Sequence, residues 1–125
     1  MHDKLRIMVI DDENIVGKRL KPALEKNGDL VETFEDARKA IERFNEEPFD
    51  IVVTDIRMDE VDGLEVLEQV LARNQRTKVI IITGYATVEV AREALAKGAF
   101  DFIAKPFKPA DLRAVIEKAA AQLRQ

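Results

Sequence analysis

Acidic, hydroxyl and ammonium side chains stand at the ends of four separate apolar runs in this 125-residue chain. Asp11 and Asp12 follow the first run, Asp55 follows the third, Thr83 ends the fourth, and Lys105 follows the fifth. Three carboxylates brought together repel one another unless a cation joins them, and the lysine supplies one positive charge. An all-oxygen cluster without His or Cys suits a hard divalent ion such as Mg²⁺. Carboxylate, Mg²⁺, lysine and hydroxyl together are suited to phosphoryl transfer.

The composition disfavours several other kinds of chemistry. The chain has no Cys, and its one His is His2 near the N-terminus, so thiolate metal sites and imidazole-based catalysis are not expected. Its 20 Lys and Arg against 24 Asp and Glu give a formal net charge of -4, which argues against direct binding of nucleic acid by this domain. No apolar run approaches the roughly 20 residues of a membrane span. The N-terminus also lacks the apolar core of a signal peptide, so we expect a cytoplasmic protein without a membrane segment.

Short apolar runs alternate with helical patterns along the whole chain. The runs cover residues 5–10, 29–34, 50–54, 77–83 and 100–104. Between them, apolar residues recur at helical spacing, as at Val16, Leu20 and Leu24. Strands alternating with helices predict parallel β-α-β units with helices on both faces of one sheet, in a single domain spanning residues 1–125. Pro22 lies inside the first helical pattern, where it is expected to remove a hydrogen bond and bend the helix.

The composition of the strands predicts their order in the sheet. The first, third and fourth runs are continuous and rich in β-branched residues, which is typical of strands buried on both faces. The second and fifth runs contain charged residues, which suit the edges of a sheet. The predicted fold is therefore an α/β, flavodoxin-like, doubly wound five-stranded parallel sheet in the order 2-1-3-4-5. Ligands of such sheets bind beyond the carboxyl ends of the strands, where the acids, the threonine and the lysine are placed.

The motifs at these strand ends resemble those of response-regulator receiver domains of two-component signalling. The resemblance extends from about Lys4 to Leu123. It is carried by Val-Ile-Asp-Asp-Glu at 9–13, Thr-Asp-Ile-Arg-Met at 54–58, Asp62-Gly63-Leu64, Ile-Thr-Gly-Tyr-Ala-Thr at 82–87 and Gly-Ala-Phe-Asp-Phe-Ile-Ala-Lys-Pro-Phe at 98–107. The Thr-Gly-Tyr-Ala-Thr and Lys-Pro-Phe stretches are most similar to receivers of nitrogen-regulatory-type activators.

This resemblance implies a role for each reactive residue. Asp55 is implied to be the phosphoacceptor for a sensor histidine kinase, with Lys105 paired to an oxygen of the acyl phosphate. Thr83 is implied to hydrogen-bond the same phosphate. Phe102 occupies the switch-aromatic position, which packs inward when Thr83 moves toward the phosphate. A domain of this kind accepts phosphate and slowly dephosphorylates itself, and is not a conventional turnover enzyme.

The resemblance also implies a Mg²⁺ site. Asp12 is implied to ligate the ion directly and Asp11 largely through water, together with Asp55 and the backbone carbonyl of Arg57. Asp59 stands where the family usually has Pro, which is expected to alter the mobility of the loop and its affinity for metal.

Two aromatic residues, Phe102 and Tyr85, are expected to affect the phosphorylated state. Phe102 lacks the hydroxyl of the usual Tyr, which removes one hydrogen bond from the switched state. The ring of Tyr85 is predicted to shield the phosphoryl group from water and to lengthen its lifetime.

The fourth helical segment, residues 87–97, is apolar on more than one side. Val88, Ala91 and Leu95 form one stripe, whereas Val90 and Ala94 lie outside it. This surplus predicts a partner surface formed with the fifth strand and the last helix, although isolated apolar residues on a surface also occur without a function. In receivers this surface commonly serves dimerisation or the binding of an output domain or a downstream protein. The chain is either a single-domain regulator or the receiver of a longer protein.

Three alternative functions differ from this interpretation in features that the sequence shows. A hydrolase of the haloacid-dehalogenase kind usually carries a second acid two residues after its nucleophile, whereas Arg57 follows Asp55 here. The acidic stretch at residues 11–13 would repel the phosphate of a flavin or nucleotide. A receiver-like interaction module that works without phosphorylation is the remaining alternative, and such modules usually lack one of the key positions that this chain retains.

Overall fold

The computed structural model describes residues 4–56, 62–84 and 88–124, which form five strands and five helices in strict alternation. In chain order these are β1 (Arg6–Ile10), α1 (Asn14–Glu25), β2 (Leu30–Phe34), α2 (Ala37–Glu46), β3 (Ile51–Asp55), α3 (Gly63–Arg73), β4 (Lys78–Thr83), α4 (Val88–Ala96), β5 (Asp101–Ala104) and α5 (Pro109–Leu123). No helix within these ranges is long and apolar enough to cross a membrane.

All neighbouring strands pair in parallel, in the order β2-β1-β3-β4-β5. The central strands β1, β3 and β4 are buried along almost their whole length, whereas β2 and β5 have exposed or half-buried positions. The predicted fold class and strand order are therefore confirmed. The edge strands were recognisable because a charged side chain is tolerated only where one side of the strand meets solvent.

Alternating residues of the sheet contribute to two apolar layers, one on each face. Met8 and Ile10 of β1 face the layer that α2, α3 and α4 cover, while Ile7 and Val9 face the layer that α1 and α5 cover. The same alternation continues along β3 and β4. Helices on both faces leave the carboxyl ends of the strands as one uncovered edge, where the reactive side chains gather.

Helices α3 and α5 begin at residues that suit a helix N-terminus, and α1 contains a proline. Asp62 caps α3 by accepting a hydrogen bond from Glu65 N at 2.9 Å. Pro109 occupies the first turn of α5, where the missing N–H of a proline costs no helical hydrogen bond. Helix α1 continues through Pro22 and ends at Glu25. The proline therefore does not terminate the helix, and the bend stays a prediction.

Candidate functional site

The carboxyl ends of β1, β3, β4 and β5 bring the predicted side chains to one edge of the sheet. Asp55 and Thr83 are the last residues of their strands, while Asp11 and Lys105 directly follow theirs. Asp11 is held by two hydrogen bonds, from its own N–H to Phe34 O at 3.0 Å and from Glu13 N to its Oδ1 at 2.8 Å. These bonds fix the turn after β1. Helix capping does not explain the acids, because Glu13 is the N-cap residue of α1 and makes no side-chain cap.

Three carboxylates form a compact cluster at this edge. One oxygen from each of Asp11, Asp12 and Asp55 lies within 4.8 Å of the other two. Asp11 and Asp55 are buried, and Asp12 is exposed. Burial raises the pKa of Asp11, and this effect outweighs the hydrogen bond from the backbone of Glu13 and the attraction of Lys105, which lower it.

Lys105 is the cation that joins these acids. Its Nζ lies 2.8 Å from Asp55 Oδ2, 3.1 Å from Asp11 Oδ2 and 3.4 Å from Glu13 Oε1. Burial acts to lower the pKa of Lys105, but its hydrogen bond to Asp55 and its close charge contacts with Asp55 and Asp11 dominate and raise it. The lysine is therefore a fixed positive charge at neutral pH. The contact with Glu13 is one that the strand-end argument alone does not predict.

Two buried oxygen atoms of the site make no well-aligned hydrogen bond with the residues that the structure describes. They are Thr83 Oγ1 and Asp11 Oδ2. Lys105 Nζ is near the Asp11 oxygen, so that oxygen has a charged neighbour but not a hydrogen bond of good geometry. A buried hydroxyl and a buried carboxylate oxygen of this kind are groups that a ligand or a cation would satisfy.

The donor set fits Mg²⁺. The clustered atoms are all carboxylate oxygens, and such hard ligands match the preference of this ion. The fourth predicted ligand, the carbonyl of Arg57, lies outside the described residues. So do Asp59 and Tyr85, and the expectations for all three stay predictions.

Phe102 lies on the edge strand β5 and points outward. Its side chain is 37% exposed, and its strand alternates between half-buried and exposed positions. The structure thus places the ring on the surface in this state. Its inward packing next to Thr83 stays a prediction.

Gly63 supports the site in a way that sequence reasoning missed. As a turn or cap glycine it needs no special role, and its φ is not positive. A Cβ atom at this position would nevertheless lie 2.4 Å from Asp55 O and 2.7 Å from Ile56 Cα. Glycine is required here because the start of α3 packs directly on the backbone that carries the acid. The stretch Asp62-Gly63-Leu64 was the only sequence signal for this contact.

An open cavity of about 670 Å³ adjoins the carboxylates. It is bounded on one side by the polar residues of the site and on the other by α1 and the segment that joins β5 to α5. The lining residues are Asp12, Glu13, Val16, Arg19, Leu20, Asp55, Gly84, Lys105, Pro106, Phe107 and Pro109. A large molecule can therefore approach Asp55 across a partly apolar surface.

Residues 7–117 match the sequence profile of the response regulator receiver domain. The chain belongs to this family. Over 120 residues, the receiver is 39% identical to the transcriptional regulatory protein ZraR of Escherichia coli (strain K12). That alignment includes 96% of this chain but 27% of ZraR, so the chain spans about a quarter of that relative's length.

Solved structures show the same relationship. The receiver superposes with a TM-score of 0.92 on a CheY-like response regulator receiver domain protein from Methanospirillum hungatei JF-1, with 30% identity and 98% of both chains covered. It also resembles the beryllofluoride-activated receiver domain dimer of NtrC4, with a TM-score of 0.89, 30% identity and coverage of 94% of this chain and 98% of that one. The resemblance seen in the sequence motifs is confirmed, and phosphorylation on an aspartate is characteristic of this family.

Proposed function

We propose that this receiver accepts a phosphoryl group from a histidine kinase on Asp55 in a Mg²⁺-dependent reaction, and that this event switches the surface formed by α4, β5 and α5. The observation that carries the proposal is the placement of Asp55. Its carboxylate is buried at the end of β3, 2.8 Å from an ammonium group and next to two further carboxylates. That arrangement combines a nucleophile, a cation and a metal-binding acid cluster.

The chemistry follows from the positions of three side chains. A carboxylate oxygen of Asp55 forms a bond to phosphorus while the bond between phosphorus and the imidazole nitrogen of the donor breaks. The electron pair of that bond leaves with the imidazole, which then takes up a proton. Lys105 neutralises charge on the transferred group. The Thr83 hydroxyl, which has no hydrogen-bond partner among the described residues, is available to donate a hydrogen bond to that group.

Asp11, Asp12 and Asp55, with the carbonyl of Arg57, would hold the Mg²⁺ ion. When bound, the ion supplies further positive charge for the phosphoryl oxygens. The domain is consumed as an acceptor in this reaction, so we propose that it is not a conventional turnover enzyme.

The cavity beside Asp55 supports a protein as the phosphoryl donor. Its wall contains Val16 and Leu20 of α1, and Phe107 beyond β5. Ile15, which is 62% exposed, adds an apolar group on the outer side of α1. A small-molecule donor needs no such surface, whereas the helix that carries a kinase histidine would bury it.

The surface of α4, β5 and α5 is proposed as the output face. Leu95 of α4 and Phe102 of β5 are 41% and 37% exposed, while Ala91 and Ala94 face the core. Apolar residues of α4 therefore lie both toward the core and on the surface, in agreement with the surplus expected from the sequence. The small alanines are buried, and the larger leucine remains outside. By analogy with the NtrC4 receiver dimer, we propose that this face forms a homodimer or binds an output domain.

Intact-mass measurement tests the acceptor assignment. The receiver is incubated with Mg²⁺ and phosphoramidate or acetyl phosphate, beside the variant Asp55→Asn and a sample with EDTA. Addition of one phosphoryl group to the parent alone, and only with Mg²⁺, is the expected result. If no addition occurs, beryllofluoride binding is measured next because some receivers use small donors poorly. Failure of both would favour an interaction module that works without phosphorylation.

A further inference from the structure

The backbone that carries Asp55 is fixed from three directions. Thr54 Oγ1 donates a hydrogen bond to Asp55 O at 3.0 Å. Ile56 N donates to Ile82 O at 2.9 Å, and Gly63 N donates to Ile56 O at 2.9 Å. Strand β4 and the start of α3 therefore hold the two peptide groups that follow Asp55, and a side-chain hydroxyl bonds the carbonyl of Asp55 itself.

Thr54 lies at the end of the paired region between β1 and β3. The register between β1 and β3 ends with the pair Ile10 and Thr54, whereas β3 continues for one more residue. The carbonyl of Asp55 thus lies beyond the last pair of that ladder. Thr54 is fully buried, so its hydroxyl acts where water does not compete and a hydrogen bond fixes geometry strongly.

Gly63 closes the remaining side. A Cβ at this position would stand 2.4 Å from Asp55 O, which is closer than real Cβ atoms approach. The carbonyl therefore lies between the hydroxyl that binds it and a helix start that leaves no space for displacement. Displacement of this end of β3 would carry the Cβ of Asp55 with it and change the 2.8 Å contact between its carboxylate and Lys105.

We infer that Thr54 is a positioning residue for the reaction at Asp55. It touches neither the donor nor the transferred group, but holds the backbone so that the carboxylate points at Lys105 and into the acid cluster. The inference rests on the proposed function, because it concerns the same phosphoacceptor. A displacement of about 1 Å at a reacting group can lower a rate on the order of a hundredfold, so a single hydroxyl at this place has a measurable effect.

The test compares two buried threonines that have the same local chemistry. Thr77, 3% exposed, donates from Oγ1 to Phe49 O at 2.7 Å, just before β4 begins and therefore at the opposite edge of the sheet from Asp55. Thr54→Val and Thr77→Val each remove one buried hydroxyl that bonds a backbone carbonyl, so both are expected to lose stability to a similar degree. Only Thr54→Val is expected to change the position of the Asp55 carboxylate.

The measurement is the rate of phosphorylation by phosphoramidate at saturating Mg²⁺, followed by intact mass over a range of donor concentrations. We expect the maximum rate of Thr54→Val to fall by about tenfold with its half-saturating donor concentration unchanged, because positioning rather than donor binding is affected. Thr77→Val should react like the parent. Thr54→Ser, which keeps the hydroxyl, should recover most of the rate.

Equal maximum rates for folded Thr54→Val and Thr77→Val would overturn the inference while leaving the acceptor assignment intact. If the parent itself gains no phosphoryl group and binds no beryllofluoride, the proposed function fails, and the inference with it. Should Thr54→Val not fold, Thr54→Cys replaces it, since a thiol of similar size donates only weakly. A Cys variant as fast as the Ser variant would then contradict the role of the hydroxyl.

Discussion

Lys105 Nζ lies 2.8 Å from Asp55 Oδ2, although the two residues are fifty positions apart in the chain. The contact exists because β3 and β5 end at the same edge of the sheet. The same ammonium group lies 3.1 Å from the buried Asp11, so one cation serves two carboxylates that would otherwise repel each other across a short distance. The stability of the site therefore depends on this lysine whenever no metal ion is bound.

Replacement of Lys105 by Met should destabilise the metal-free domain. Buried Asp55 would lose a charged hydrogen-bonding partner and buried Asp11 a neighbouring positive charge. We therefore expect the free energy of unfolding at neutral pH to fall by about 2 kcal/mol. Urea unfolding followed by circular dichroism in EDTA measures this change, and Mg²⁺ should recover part of the loss. Lys118→Met, at an exposed position on α5, is the matched control. A Lys105→Met curve that coincides with the control would contradict the assigned role.

Asp11→Asn should raise the free energy of unfolding of the metal-free domain. The same variant should abolish the stabilisation of the domain by Mg²⁺. Burial raises the pKa of Asp11 above its usual value of 3.8. The folded state therefore favours the protonated acid, and stability is lost as pH rises through the folded-state pKa. At neutral pH the neutral amide removes that penalty, so we expect the metal-free variant to have a higher free energy of unfolding than the parent in urea unfolding.

Titration with Mg²⁺ supplies the second half of this test. At a concentration of about one hundred times the dissociation constant, binding should stabilise the parent by roughly 2.7 kcal/mol, and Asp11→Asn should show little of this gain. Asp50→Asn is the control, because Asp50 Oδ2 accepts a hydrogen bond from Arg6 N at the opposite edge of the sheet and an amide oxygen can do the same. An undiminished Mg²⁺ response in Asp11→Asn would exclude this residue from the metal site.

These contacts show how far the sequence alone could predict the site. Asp11, Asp55, Thr83 and Lys105 were predictable as neighbours because the strand order follows from where charged residues interrupt the apolar runs. Once that order is known, the carboxyl ends of parallel strands meet at one edge. The residues that gather at this edge are therefore those at the carboxyl ends of their strands, which the sequence pattern locates.

The supporting contacts were not predictable in the same way. The contact of Glu13 with Lys105 depends on side-chain rotamers, and the hydroxyl of Thr54 is indistinguishable in sequence from any buried β-branched residue of a strand. The requirement for Gly63 arises from the approach of two backbones, which leaves no mark on hydrophobic periodicity. Such contacts depend on the positions of single atoms in the folded protein. Sequence patterns indicate only which face of a helix or strand is buried and where the element begins and ends.

Pro22 is expected to lower the stability of helix α1. It lies at an exposed position inside α1, where a proline lacks the N–H that would bond to Lys18 O in a regular helix. Pro22→Ala should therefore raise the free energy of unfolding by about 1–3 kcal/mol. Lys21→Ala, at the neighbouring exposed position, should change stability by less than about 0.5 kcal/mol. A proline variant no more stable than the parent would show that α1 has adapted to the ring.

Phe102 offers a direct optical probe of the proposed switch. The chain contains no Trp, so Phe102→Trp places a single indole on β5, where the native side chain is 37% exposed. If the ring moves inward when Thr83 engages the phosphoryl group, then Mg²⁺ and beryllofluoride should shift the tryptophan emission to shorter wavelength as its surroundings become apolar. The double variant Phe102→Trp/Thr83→Ala should bind beryllofluoride without the shift, which separates binding at the acid cluster from the coupled movement of the ring. Emission that stays constant while beryllofluoride is bound would show that this receiver transmits phosphorylation without burying Phe102.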